Sequence, residues 1–173
     1  PQAADFTRAM AGDLPDGAFE ALDARIAELV ETRPAQATRQ SSGAALDELF
    51  AAIPEMIGGS ADLTGSNNTF VKDTQILDAP DYAGRYLNYG IREFGMAAAM
   101  NGLALHGGVI PYGGTFLVFS DYMRAGIRLA ALQQRVDQVE HGRGLLRDAR
   151  GLAQVRGLVE VLEGQQLQQF GVA

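Results

Sequence analysis

Apolar residues recur at three- and four-residue intervals in several stretches of the chain, which is the spacing of amphipathic helices. The first stretch covers residues 16–32 and is followed by Pro34, which stops a helix. The second covers residues 41–53 and ends before Pro54, because the residue preceding a proline is pushed out of helical geometry. The same spacing of apolar residues predicts two more helices, at residues 92–105 and 115–134. Thr115 is placed to cap the first turn of the second of these.

Short apolar runs alternate with these helices and predict buried strands. They cover residues 56–57, 86–89 and 109–112. Strands joined by crossover helices pair in parallel, so the predicted fold class is α/β, an open and mostly parallel sheet with helices on both faces. Residues 58–85, rich in Gly, Ser, Asn, Asp and Thr, read as one long loop of the kind that is usually functional or disordered.

Composition and charge narrow the function classes. The chain has 173 residues, 47% of them hydrophobic, which is enough for one domain with a sizeable core. Its net charge is −7 and Lys72 is its single lysine, so we expect no nucleic-acid partner. No apolar run reaches the length of a membrane span, which predicts a protein without membrane contact and permits a cytoplasmic location. With no cysteine and two histidines, a metal site made by the protein alone is not expected.

Three segments follow predicted strands directly and should meet at one edge of the sheet, where α/β folds bind ligands. One of them, residues 90–93, places Glu93 in the first turn of a helix. From position alone this favours an acid that stabilises the helix or pairs with Arg92. The alternative is a buried, proton-handling carboxylate, because its neighbours are mostly apolar.

The other two segments, residues 58–68 and 113–116, offer further candidates. The aromatic residues Phe116, Phe119 and Tyr122 step by three along one predicted helix and could form a wall for a flat ring, although such stripes are most often core. Ser66, together with Arg39 at the start of the second helix, could bind a phosphate, or both could belong to a solvated helix end and turn. Asp62 could bind a ligand or could cap a helix or turn.

Taken together, three motifs resemble the transketolases and occur in the same order as in that family. They are Ile57-Gly58-Gly59-Ser60-Ala61-Asp62-Leu63-Thr64-Gly65-Ser66-Asn67, Tyr89-Gly90-Ile91-Arg92-Glu93-Phe94-Gly95-Met96 and Pro111-Tyr112-Gly113-Gly114-Thr115-Phe116. The resemblance spans roughly residues 5–136. It implies the thiamine-diphosphate-binding fold, specifically an incomplete pyrimidine-binding domain.

The resemblance also implies roles for individual residues. Glu93 would be the catalytic glutamate that bonds the aminopyrimidine ring of thiamine diphosphate and favours its imino tautomer. Asp62 would lie near the cofactor. Phe116, Phe119 and Tyr122 would enclose its aminopyrimidine ring, with Phe119 the firmest contact. Arg39 and Ser66 would bind the phosphate of the sugar.

The family's motif for the diphosphate and Mg²⁺ has no counterpart in the chain, so the resemblance implies half a site, completed in family members within a homodimer. We expect residues 1–35 to be a linker and helix from a preceding domain, residues 36–136 the partial pyrimidine-binding domain and residues 137–173 an atypical tail, either frameshifted or disordered. The expected function is that of a transketolase fragment with little activity of its own. The alternatives are a subunit of a split transketolase and a non-catalytic interaction module on the same fold.

Overall fold

The structure of the protein, a computed structural model, describes the backbone of residues 2–140 and the side chains of residues 2–133. Its strands are β1 (Met56–Ser60), β2 (Tyr86–Asn88) and β3 (Ile110–Gly114). Its helices are α1 (Gln2–Ala11), α2 (Glu20–Thr32), α3 (Thr38–Ala52), α4 (Thr64–Asn67), α5 (Glu93–His106) and α6 (Ser120–Glu140), with one 3-10 turn at Leu117–Phe119. The predicted tail beyond residue 140 lies outside the described residues.

The three strands are parallel and form one sheet in the order β2-β1-β3. In its register, Gly58 of the central strand lies opposite Tyr86 on one side and Tyr112 on the other. Strands β1 and β3 carry glycines because neighbouring groups crowd the sheet. A side chain on Gly58 would overlap the Tyr112 backbone and ring, and one on Gly59 would overlap the carbonyl of Leu87.

Helices cover both faces of this sheet, which confirms the predicted fold class. On one face, Phe50 of α3 meets the ring of Tyr112 edge-on, with ring centroids 6.0 Å apart, inside the main hydrophobic cluster. On the other face, α5 lies so close to β3 that a side chain on Gly113 would come within 2.5 Å of the Met100 sulfur and 3.0 Å of the Met96 sulfur. Within the described residues, no helix is long and apolar enough to cross a membrane.

Residues 8 and 18, within the first 35, are joined to the rest of the fold. Arg8 of α1 holds the Glu55 carboxylate with two hydrogen bonds, of 2.6 and 3.1 Å, just before β1. This pair lowers the pKa of Glu55, chiefly through the hydrogen bond from Arg8. Ala18, before α2, is buried in the same cluster as Phe50.

Several predicted elements differ from the observed ones. The predicted loop at residues 58–85 is interrupted, because β1 continues to Ser60 and α4 follows it. The predicted helix at residues 115–134 begins later, with a 3-10 turn before α6. Thr115 therefore caps no helix: its hydroxyl is buried and has no hydrogen-bond partner among the described residues. Helix α1 was not predicted, although Phe6, Ala9 and Met10 recur at helical spacing.

Candidate active site at the carboxyl edge of the sheet

Glu93 begins α5, immediately beyond the carboxyl end of β2. The chain reaches it through Gly90, whose φ of 66° favours glycine, and then through Arg92. The Glu93 side chain is buried, with 8% of its surface exposed. Within the described part of the chain its carboxylate makes no ion pair and no hydrogen bond, so it is free to bond a ligand.

The pairing of Glu93 with Arg92, one of the two simpler roles suggested by the sequence, is not formed. The Arg92 guanidinium donates instead to the backbone carbonyl of Tyr89, at 3.2 Å. This bond closes the turn between β2 and α5, and the Glu93 carboxylate makes no bond to Arg92.

Helices α5 and α6 cross in very close contact, and Glu93 lies about one turn before this crossing on α5. A side chain added at Gly126 of α6 would come within 2.6 Å of the Ala97 Cβ on α5. Asn101, one turn further along α5, donates a hydrogen bond of 3.0 Å to the Gly126 carbonyl. Residues four apart share a helix face, so the stripe Glu93-Ala97-Asn101 of α5 faces α6.

Tyr122 occupies the matching place on α6, four residues before Gly126. Glu93 likewise lies four residues before Ala97, so each residue is about 6 Å along its helix from the crossing point. Both positions lie toward the amino ends of their helices, and these ends follow the carboxyl ends of β2 and β3. Glu93 and Tyr122 therefore both lie near the amino end of a helix that follows a strand of the sheet.

The three aromatic residues form a continuous row, although they do not share one helix as predicted. The rings of Phe116 and Phe119 stack at 6.1 Å, and those of Phe119 and Tyr122 lie 6.2 Å apart with an angle of 33° between their planes. Phe116 and Phe119 are half-buried, whereas Tyr122 is exposed. A row with open ring surface suits a flat aromatic ligand.

The loop after β1 is held to the sheet by buried hydrogen bonds. Ser60 donates through its hydroxyl to the Gly114 carbonyl at 2.9 Å and accepts from the Leu63 amide at 3.1 Å. The Asn67 side-chain amide donates to the same hydroxyl at 3.3 Å. The Tyr86 hydroxyl then ties in the outer end of the loop, 2.7 Å from the Thr64 hydroxyl and 3.0 Å from that of Thr69.

The remaining three candidates lie in or beside this loop. Asp62 is exposed in a left-handed turn, with φ of 62°, directly beyond β1, and Ser66 is exposed on α4. Arg39 is exposed in the first turn of α3, which starts near the carboxyl edge of the sheet and runs to the opposite edge, where β1 begins. The side chain of Asn68, the residue that follows α4, donates a hydrogen bond of 3.4 Å to the Arg39 carbonyl.

Two buried hydroxyls near the strand ends also lack partners among the described residues, those of Tyr89 and Thr115. Burial raises the pKa of Tyr89 to about 12, so this phenol is neutral at physiological pH and can donate a hydrogen bond. No cluster of three His, Cys, Asp or Glu residues able to hold a metal ion occurs in the described part of the chain.

Comparison with known proteins identifies the family of this chain. Residues 34–140 match the family described as the pyrimidine-binding domain of transketolase. The chain belongs to the transketolase family. It is 50% identical over 133 residues to transketolase 2 of Aliivibrio fischeri and 52% identical over 136 residues to the chromosomal transketolase of Cupriavidus necator. Each alignment covers 76% of this chain and 20% of the relative, so the chain spans about a fifth of the transketolases that it matches.

Solved transketolase structures agree with this assignment. The transketolase of Leishmania mexicana superposes with a TM-score of 0.64 at 40% identity, covering 74% of this chain and 18% of that one. A transketolase from Pichia stipitis in complex with sedoheptulose 7-phosphate gives a TM-score of 0.63 at 39% identity, covering 74% and 19%. The family resemblance read from the three sequence motifs is thus confirmed.

Sequence reasoning missed the residues that hold this transketolase edge in place. The network of Ser60, Asn67 and Thr69 was not predicted because these residues lie in a segment interpreted as a loop, where Ser, Asn and Thr are common. The crossing of Ala97 and Gly126 was missed because a small residue in a helix carries no periodic signal. A search for small residues on the facing stripes of adjacent helices would have found it.

Proposed function

We propose that this chain supplies the pyrimidine-binding half of a transketolase that uses thiamine diphosphate to move a two-carbon ketol unit from a ketose phosphate to an aldose phosphate. Residues 36–136 form the partial pyrimidine-binding domain, and residues 1–35 connect it to a preceding domain. The diphosphate, its Mg²⁺ and the second wall of the site come from another domain, within a cytoplasmic homodimer.

The observation that carries this proposal is the buried Glu93 carboxylate, which has no partner among the described residues and lies on α5, the helix that α6 crosses; the aromatic row ends on α6 at Tyr122. A carboxylate so placed fits a ring nitrogen, and stacked phenyl and phenol groups fit the ring face. Thiamine diphosphate, when bound, supplies the stabilised carbanion chemistry that carbon–carbon bond cleavage requires.

The residues of this chain have separate tasks in that reaction. The Glu93 carboxyl holds and shares a proton with the aminopyrimidine ring. The aromatic row keeps water from the ring and sets its plane, and Asp62 lies beside the cofactor. Arg39 and Ser66 bind the phosphate of the sugar, through a guanidinium charge and a hydroxyl donor. A sugar phosphate bound to the Pichia stipitis relative supports this substrate class.

The test is a reconstitution in which this chain is combined with a diphosphate-binding domain from a transketolase relative, hereafter the reconstituted enzyme. We expect no turnover from the chain alone and measurable transfer from the reconstituted enzyme. Glu93→Gln should lower kcat by about 10²-fold or more, the usual contribution of a proton-transferring group. Glu48→Gln is the matched control, because Glu48 lies 4.0 Å from Arg25 between α2 and α3. Equal turnover of the Glu93→Gln and Glu48→Gln variants would refute the proposal.

A further inference from the structure

The two proposed phosphate-binding residues stand on different elements, so something must set the distance between them. Arg39 lies in the first turn of α3 and Ser66 lies on α4, and both side chains are exposed. A phosphate held by both requires this spacing to match its own size. The contact between α3 and the end of α4 therefore bears on phosphate binding.

That contact is made by Gly43 and Asn68. Asn68 ends α4 in a left-handed conformation, with φ of 54°, and its side chain donates to the Arg39 carbonyl at 3.4 Å. A Cβ on Gly43 would lie only 3.1 Å from the Asn68 Cβ and 3.2 Å from the Asn68 carbonyl oxygen. Both values are below an ordinary contact of about 3.5–4.0 Å, so the absence of a side chain at Gly43 lets the loop lie this close to α3.

The preceding residue fixes the loop on its other side. The Asn67 side chain, 6% exposed, donates to Ser60 at 3.3 Å and accepts from the Thr69 hydroxyl at 3.0 Å. Adjacent asparagines thus hold the loop to two supports, Asn67 to the sheet and Asn68 to α3. Ser66 directly precedes this pair, so its distance from Arg39 depends on both supports, the sheet and α3.

From these contacts we infer that Gly43 and Asn68 are positioning residues that set the separation of Arg39 from Ser66 and thereby the selectivity for phosphorylated sugars. This inference rests on the proposed function, because it takes Arg39 and Ser66 as the phosphate-binding pair. Neither Gly43 nor Asn68 touches the sugar. Their effect passes through the backbone of α3 and α4.

The decisive variant is Gly43→Ala in the reconstituted enzyme. Alanine favours a helix over glycine, which offsets the cost of displacing the loop, so this change should alter the stability of the chain little while its methyl group pushes the loop away from α3. We expect KM for an aldose phosphate to rise about threefold to tenfold, the effect of weakening roughly one hydrogen bond, with kcat unchanged. KM for the corresponding unphosphorylated aldose should not change.

Gly102→Ala is the matched control, since Gly102 is also helical and a Cβ there would meet nothing within 4 Å. It should leave both KM values unchanged. Asn68→Gly provides a second variant: it keeps the left-handed backbone but removes the hydrogen bond to Arg39, and it should also raise KM for the phosphorylated sugar alone.

The spacing can also be measured without turnover. The chain has no cysteine, so spin labels on Arg39→Cys and Ser66→Cys would be the only ones present. Pulsed electron spin resonance should show a longer or broader distance with Gly43→Ala than with Gly102→Ala.

The outcomes separate the two proposals. If the unmodified reconstituted enzyme turns over and Gly43→Ala changes both KM values equally or neither, the positioning inference is overturned. If the unmodified enzyme shows no turnover, the proposed function fails. In that case the label distance still decides the spacing role, and an unchanged distance refutes it.

Discussion

Replacing Gly126 with alanine tests the helix crossing that places Glu93. In the structure the added Cβ would lie 2.6 Å from the Ala97 Cβ. Non-bonded carbons rest at about 3.5–4.0 Å, so α6 must move from α5 by roughly 1 Å. The change therefore alters the position of Tyr122 relative to Glu93 without touching either residue.

The cost in stability should be modest, because two effects oppose each other. Forcing an extra methyl group into a packed contact costs about 1–3 kcal/mol of unfolding free energy. Alanine in place of a helical glycine raises the free energy of unfolding by about 1 kcal/mol. The net loss should be about 0–2 kcal/mol, measurable as a lower urea midpoint of the chain.

The cost in activity should be larger than this loss of stability. A displacement of about 1 Å between groups that hold a reactant can lower the rate by about 10²-fold. We expect Gly126→Ala to reduce kcat of the reconstituted enzyme by roughly tenfold to 10²-fold under conditions where the chain remains folded. Circular dichroism at the assay temperature confirms that folding.

The control exchanges the two residues. Ala97→Gly combined with Gly126→Ala keeps one Cβ at the crossing but moves it to the other helix, so kcat should recover substantially. If the single variant retains full kcat, or the exchange fails to restore any of the loss, the crossing does not position Glu93 and the reasoning is wrong.

Two further predictions concern the supports of the site. Tyr86 is 1% exposed, and its hydroxyl forms hydrogen bonds with Thr64 and Thr69. Tyr86→Phe removes this hydroxyl and should lower the free energy of unfolding, measured by urea titration, by about 1–3 kcal/mol. Glu55→Gln removes the negative charge that faces Arg8 and one of the two oxygens that accept its hydrogen bonds. Because the pKa of Glu55 is lowered in the folded chain, its contribution is full above the unfolded pKa of about 4.3 and is lost as pH falls through the folded pKa. The difference in Tm between the parent chain and Glu55→Gln should thus be largest near neutral pH and shrink below about pH 4; a difference independent of pH would contradict this account.

The sequence predicted the elements whose patterns are local. Helices α2 and α3 and the strands were found because an amphipathic face or a short apolar run is visible in a few consecutive residues. The convergence of Glu93 with the loop after β1 was also predictable, since parallel strands carry their carboxyl ends to one edge.

Features that depend on contacts between distant residues were not predictable. The start of α6 is delayed because Thr115 is buried at the end of β3, where propensity would have placed a cap. The absence of a Glu93–Arg92 pair follows from the Arg92 bond to the Tyr89 carbonyl, which periodicity cannot show. Tertiary packing overrode the local signal in both cases.

The two halves of the proposed site rest on separate supports, and this separation has a measurable consequence. Glu93 is positioned by α5 and α6 on one face of the sheet, whereas Arg39 and Ser66 are spaced by the contact of α3 with the loop after β1. Changes at sites with no shared partners add in free energy to within about 0.3–0.5 kcal/mol. In the double variant Gly43→Ala with Gly126→Ala, kcat/KM should therefore fall by the product of the two single effects, within about twofold. A fivefold departure from that product would show that the sheet transmits strain between its faces, and the two supports could then no longer be treated as independent.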